Sequence, residues 1–417
     1  MTSKEKVQNA VNHKEGKIPL DFGSTCVTGI HVSVIEKLRE YYGLENRPVK
    51  VVEVIQMIGY IEDDLKAALK VDTVDLWGPF AAYGYKNENW KEWTTTWGQT
   101  VLVGENFTVE NDEKGNAYIY AQGDTNFPPA GVMPSSSFFF EHITRQEEID
   151  DDNLNFMDNT EEFGLVSDSL VDYFKQEAKK LDNSTKYIGG MVGGAPLGDA
   201  ALVPGPMLKQ PKGIRDLEEW YMSMVARPEY IHQIFEYQMD IAIKNHEKVY
   251  NAVGNVFDMM YVCGADFGTQ SSTLYSPATF RELYLPYYKK INDWIHKNTS
   301  WKTFKHCCGA IDPLLPMFIE AGFDIINPVQ WTASGMDRKM LKEKYGKHLV
   351  FWGGGVDTQS TLPFKKPEDV RREVLETCEI FGRGGGYVFN PIHNIVAKTP
   401  IENVVAMVNA LHEFNGD

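Results

Sequence analysis

The chain has 417 residues, 43% hydrophobic and 24% charged, the proportions of an ordinary globular protein. A formal net charge of −17 argues against nucleic acid and anionic membrane surfaces as partners, since their phosphates would be repelled. No run of about 18 apolar residues occurs, and MTSKEKVQNAVNHKEG at the N-terminus has neither the apolar core nor the cleavage site of a signal peptide.

Eight short apolar runs occur, most of them ending in Gly, Asp, Asn or Pro. In chain order they are KIPLDFG (17–23), VDTVDLWG (71–78), KYIGGMVGGAP (186–196), FDMMYVCGADFG (257–268), WKTFKHCCG (301–309), FDIINPVQ (323–330), LVFWGGGVD (349–357) and GYVFNPIHN (386–394). Such runs suit strands buried on both faces of a parallel sheet. Helical patterns lie between them. Ser276 with Pro277 reads as a helix start, PEDVRREVLETCEIFG has apolar residues at helical spacing up to Gly382, and Thr399, Pro400 and Glu402 read as a capping box. Eight strands alternating with helices predict an α/β fold, a (β/α)8 barrel comprising residues 1–417 as one domain. A doubly wound open sheet is the rival, and no GxGxxG turn follows the first strand to support it. One segment breaks the rhythm. Residues 90–124 alternate polar with apolar around DEKGN, which predicts a β-hairpin or meander inserted after the second strand, within a β-rich segment 79–140 near the barrel mouth.

In such a barrel the chemistry sits at the C-terminal ends of the strands. Those ends collect Asp21, Asp266, His306, Cys308, Asn327, Gln330, Asp357, Asn390 and His393. His306 and Cys308 are two apart on a strand and share a face, while Cys307 points the other way. An imidazole and a thiolate converging in this way suit Zn2+. The plainer alternative is a buried core histidine beside two small buried cysteines. A third ligand decides between them, and His393 in NPIHNI ends the last strand. The five cysteines, at 26, 263, 307, 308 and 378, form no disulfide framework, so a reducing cytoplasm is the expected location. Asp266 in ADFGTQ fits a general base, a group orienting a metal-bound histidine, or a loop carboxylate. The GGG runs at 353–355 and 384–386 lack the Lys and Ser/Thr of a phosphate cradle.

HCCGAIDPLLPMFIEAGFDIINPVQ, MDRKMLKEKYGKHLVFWGGGVDTQSTL, PEDVRREV and GGGYVFNPIHNIVAKTPIENVVAM, within residues 257–412, resemble the uroporphyrinogen decarboxylase superfamily, particularly its corrinoid-dependent methyltransferase branch. True decarboxylases carry an arginine-containing MRQAGR-type segment near the N-terminus, where this chain reads PLDFGSTCVTGIH without an arginine. Thiol-methylating members bind zinc through His-x-Cys and a later Cys just before a TPxEN segment. His306 and Cys308 match the first part, and His393 stands in the later place, six residues before Thr399. The resemblance therefore implies Zn2+ held by His306, Cys308 and His393, and Asp266, from its place at a strand end, is the expected catalytic carboxylate. Histidine in place of cysteine makes a zinc site a stronger Lewis acid, which suits demethylation of a methyl ether. The reaction implied is O-demethylation of a methoxylated aromatic, with the methyl group passed to a corrinoid (cobalamin) carried by a partner protein. His31, Gln330, Asn390 and Trp331 are the expected substrate-binding residues. The alternatives are a second-step enzyme moving methyl from the corrinoid protein to a thiol or pterin, a lyase using Asp21 and Asp266, and a barrel that only binds a partner.

Overall fold

The computed structural model describes residues 1–193 and 195–417. Among the described residues, seven strands form one parallel sheet in sequential order. They are β1 (Thr73–Trp77), β2 (Tyr187–Met191), β3 (Met259–Cys263), β4 (Lys302–His306), β5 (Ile325–Asn327), β6 (Val350–Trp352) and β7 (Tyr387–Val388). Sequential parallel order requires a crossover between each pair, and helices supply most of them, including Asp168–Leu181, Pro228–Val253, Leu285–Asn298, Arg338–Tyr345 and Pro367–Gly382.

The first predicted strand, 17–23, is not a strand but a single bridge at Leu20, paired with Phe389. Its backbone nevertheless bonds both edges of the sheet. Phe389 N–H donates to Pro19 O (2.8 Å), Asp21 N–H to Phe389 O (2.9 Å), and Asp72 N–H to Leu20 O (2.8 Å). Pro19 has no N–H to give, and the chain turns at once through Gly23, whose φ is +82°, so the ladder cannot lengthen.

Two core clusters follow from strand alternation. Inward residues Tyr187, Met259, Phe304, Ile325, Val350, Trp352 and Val388 pack together with Val7, Ala10 and Val11 of the helix Ser3–Val11. That helix covers the N-terminal ends of the strands. Lys4 pairs with Asp258 (2.9 Å), Lys6 with Asp72 (2.6 Å), and Gly386 N–H donates to Ala10 O (3.1 Å). The other faces of the strands meet the surrounding helices in the larger cluster. One end of the sheet is therefore plugged, and the other is left for chemistry.

Segment 90–124 does contain antiparallel strands. Lys91–Thr94 pairs with Thr100–Val103, and Val109–Asn111 turns through DEKGN into Ala117–Ile119, which continues to Gly131–Met133 and Glu141–His142. The hairpin does not stand alone. Thr100–Val103 pairs in parallel with Val49–Glu53, which pairs in turn with Ile58–Gly59 and so with Ile30–His31. These short N-terminal strands lack the length and alternation that would reveal them in sequence. Two helix expectations resolve differently. Ser276 does cap the helix Pro277–Leu283, its hydroxyl accepting from Thr279 N–H. No capping box forms at Thr399, because its hydroxyl donates to Val396 O (2.8 Å) and the helix Ile401–Asn415 starts without a side-chain cap.

Candidate metal centre

His306 ends β4 on the same inward face as Phe304, and pairs with Asn327 at the end of β5. Burial removes the water that would stabilise an imidazolium, and lowers the His306 pKa to about 3, so the ring is neutral. Its tautomer is set by Asn327. That amide donates from Nδ2 to Trp352 O (2.8 Å), which turns Oδ1 toward His306 Nδ1 at 2.6 Å. Nδ1 must then carry the proton, and Nε2 presents a lone pair. This is the arrangement that orients histidine ligands in metal sites.

Cys308 Sγ lies 3.4 Å from that Nε2. Two ligands of a tetrahedral zinc at ordinary Zn–N and Zn–S lengths stand about 3.5 Å apart. His393 completes the group, and the three ligand atoms lie within 4.8 Å of one another. The His306 and His393 rings meet edge-on with centroids 5.1 Å apart. His393 has φ +71°, an uncommon backbone for a side chain with a Cβ, and its Nδ1 accepts Asn394 N–H (2.8 Å). It would join a metal through Nδ1 by releasing that bond, or through Nε2 by exchanging tautomer. Burial followed by the nearby His306 lowers its pKa to about 3, so it too is neutral. Two soft or borderline nitrogen donors and one sulfur fit zinc.

The loop carrying Cys308 is braced from several sides. Cys308 N–H donates to Asp266 Oδ1 (2.6 Å), and the same oxygen stands 3.8 Å from His306 Nε2. Gly309 N–H donates to Gln330 Oε1 (2.7 Å). Gly309 has φ +92°, and a Cβ there would fall 2.4 Å from the Gly268 carbonyl carbon. Only glycine permits the two backbones to approach so closely, which holds the Asp266 loop against the Cys308 loop. Cys307 turns away as strand parity requires. It is buried, its Sγ accepts Phe267 N–H (3.2 Å), and burial pushes its thiol up to about 12.

The expected substrate-binding residues each hydrogen-bond within the protein. His31 is a helix cap: Nδ1 accepts Ser33 N–H (3.1 Å), Nε2 meets Phe138 O (3.0 Å), and the ring packs on Trp97. Gln330 uses both amide atoms within the protein, on Gly309 and on Gln270 Oε1 (3.1 Å). Asn390 is fully buried, with Nδ2 donating to Asp21 O (2.8 Å) and Thr28 O (3.3 Å). Trp331 donates to Gly354 O (2.7 Å), and the Arg338 guanidinium covers its ring at 4.3 Å. Asp21 is fully buried, and its carboxylate accepts from the Thr73, Ser24 and Trp352 side chains and from Ser24 N–H. Trp352, Tyr387 and Phe389 are fully buried in the core.

Four further polar or titratable residues were not singled out from the sequence. Tyr261 and Cys26 pack, part-exposed, on top of the inner core cluster. Asp199 lies in the loop after β2, and Glu53 ends the strand Val49–Glu53. Burial raises Asp199 to about 6 and Glu53 to about 7, the latter although both its oxygens accept backbone N–H groups from Ile55 (2.7 Å) and Gln56 (2.8 Å). A carboxyl with a raised folded pKa contributes stability below its unfolded value, and that contribution is lost as pH rises through the folded one. Relative to wild type, E53Q should therefore gain in urea midpoint as pH rises from about 4.5 to about 7. A difference between the two proteins that stays constant over that range would refute the assignment.

The parallel sheet and the His/Cys group at its C-terminal end define an α/β protein built to present metal-type ligands at one mouth. A family model described as uroporphyrinogen decarboxylase (URO-D) matches residues 141–414, and the chain belongs to that family. Uroporphyrinogen decarboxylase from Methylococcus capsulatus is 31% identical over 101 residues, 24% of this chain and 27% of that protein. The enzyme of the same description from Pseudomonas syringae pv. tomato is 29% identical over 145 residues, 34% of this chain and 38% of that one. The matched stretches thus span well under half of these relatives. A methyltransferase from Methanosarcina mazei shares the fold, with a TM-score of 0.56 at 17% identity over 99% of both chains. Among the described residues, no helix is long and apolar enough to cross a membrane.

Proposed function

We propose that this protein is a zinc-dependent methyltransferase that takes a methyl group from a small methyl ether, a methoxylated aromatic in the first instance, and passes it to the cobalt of a separate corrinoid protein. The observation that carries the reading is the convergence of His306, Cys308 and His393 within 4.8 Å, with the His306 tautomer set by Asn327. Zinc held there would supply Lewis acidity toward the ether oxygen. The chain's own residues do the rest. Asn327 keeps the Nε2 lone pair of His306 aimed at the site, and Asp266 and Gln330 hold the Cys308 loop by its backbone. Asp266, with its side chain 41% exposed, would in addition receive a hydrogen bond from a substrate group at the oxygen not engaged by Cys308 N–H. The family match and the fold shared with a methyltransferase support the class of reaction. The absence of an arginine from PLDFGSTCVTGIH speaks against a tetrapyrrole with many carboxylates.

The test has two parts. Purified protein should contain about one zinc per chain, as expected for one site of this type. Incubated with a cobalt(I) corrinoid protein and a panel of methyl ethers, it should generate methylcobalamin, seen as an absorbance change. Full activity in a zinc-free preparation would overturn the mechanism. No change with any ether, together with methyl transfer from the corrinoid protein to a thiol, would favour the second-step reaction instead.

A further inference from the structure

Beside the ligand group stands a second set of polar atoms that the mechanism leaves unused. Tyr261 is the middle residue of β3 and shares the inward face of Met259. Its hydroxyl and Asp199 Oδ2 converge above Gly264. A Cβ at Gly264 would fall 2.2 Å from the Tyr261 oxygen and 2.7 Å from Asp199 Oδ2, so a residue without a side chain makes room for both. Asp199 Oδ1 accepts Ala201 N–H (3.0 Å), and among the described residues nothing hydrogen-bonds to Oδ2. Two residues beyond Gly264 is Asp266, bonded to Cys308, so this pair and the metal ligands adjoin.

The charges around the pair are mainly negative, and Arg215, which lines a cavity with Asp199, is itself paired with Glu162 at 2.7 Å. Asp266 acts electrostatically on both Asp199 and Tyr261, and Glu53 and Asp199 both act on Cys26, which packs beside Tyr261. The cation that acts on Asp199 is Lys305, and it faces elsewhere. By strand parity it opposes His306, and its Nζ donates to the carbonyls of Ala265 and His306 and lies 5.0 Å from the centre of the Phe267 ring. A carboxylate entering this space would meet like charges in a partly dehydrated setting, where repulsion is weakly screened. A hydroxyl or ammonium group would find an open acceptor.

We infer that Asp199 and Tyr261 form a specificity wall that admits uncharged or cationic substrates through a hydrogen-bond donor received at Asp199 Oδ2, and rejects their carboxylated analogues. This deepens the methyl-transfer reading and rests on it for the reacting group alone, not for the recognition. The probes are phenol, benzylammonium and benzoate, titrated calorimetrically into the purified full-length protein. Phenol or benzylammonium should bind at least about tenfold more tightly than benzoate, and D199N should shrink that ratio roughly tenfold, the scale of one hydrogen bond to a charged group. The probe that loses most in D199N identifies a hydroxyl or an ammonium as the preferred donor. Y261F, a smaller change, should weaken phenol without improving benzoate. The same D199N effect should appear in C308A protein stripped of metal with a chelator, where benzoate has no metal to bind. Benzoate binding as tightly as phenol to wild type and to C308A, or a ratio that D199N leaves unchanged, would overturn the inference. Ratios as expected with no methyl transfer from any ether would sink the methyl-transfer reading and leave the wall standing.

Discussion

Alanine at His306 is expected to weaken zinc binding by about 100- to 1,000-fold, the share of one ligand in the ~10–16 kcal/mol of a structural zinc site, and to abolish methyl transfer. The expectation rests on more than the loss of one nitrogen. His306 is the only member of the group whose lone pair is aimed in advance, by Asn327, and the only one held rigidly in a strand. Removing its partner alone, in N327A, should weaken the metal by a smaller 10- to 100-fold, because the ring remains but its tautomer is freed. C307A is the control that separates parity from proximity. Cys307 is adjacent to both ligands yet points into the core against Phe267 N–H, so zinc content should be unchanged. Metal analysis and a competition titration with a chelator give all three values. Equal losses in H306A and C307A would mean that the strand does not divide the pair as described.

Methionine at Arg215 is expected to destabilise the protein by about 3–5 kcal/mol, since it leaves a buried charge without its partner. Arg215 and Glu162 are 1% and 3% exposed and meet at 2.7 Å. The guanidinium also donates to Lys212 O (2.7 Å) and Asp158 O (2.6 Å), and so ties down the long loop between β2 and the helix Leu217–Ala226. That loop carries Asp199, so substrate discrimination should degrade along with stability. The double variant E162L/R215M should recover most of the stability, because two apolar side chains of similar size remove the unpaired charge. Urea unfolding at neutral pH measures both. A single variant within about 1 kcal/mol of wild type, the scale of an exposed ion pair, would show that the pair is effectively solvated.

The grouping of His306 with Cys308 was legible in the sequence for a physical reason. A strand has a two-residue period, so HCC alone says which of its three side chains share a face, and the end of the next apolar run supplies Asn327 as a neighbour. His393 was legible as the polar end of the last run. The second wall was not. Asp199 and Glu53 lie in segments without periodicity, and Tyr261 reads as one more aromatic in MMYVC. Gly264 and Gly309 look alike as letters, and only the contacts their missing side chains avoid distinguish them. His31, Gln330 and Asn390, expected from the sequence to bind substrate, acquire backbone and side-chain partners that only the folded chain reveals, while Asn390 Oδ1 stays unpartnered.

By itself the sequence determined the alternation of buried strands and helices, the face that His306 and Cys308 share, and the outward turn of Cys307. These follow from local backbone geometry, which composition and spacing reveal. Only the tertiary structure decided that 17–23 closes against both sheet edges as a single bridge, that His393 comes within reach of Cys308, and that Asp199 and Tyr261 meet over Gly264. Each of those depends on where the sheet curls and on which loops cross its mouth. Such distances are set by the packing of residues far apart in the chain, and no local pattern encodes them.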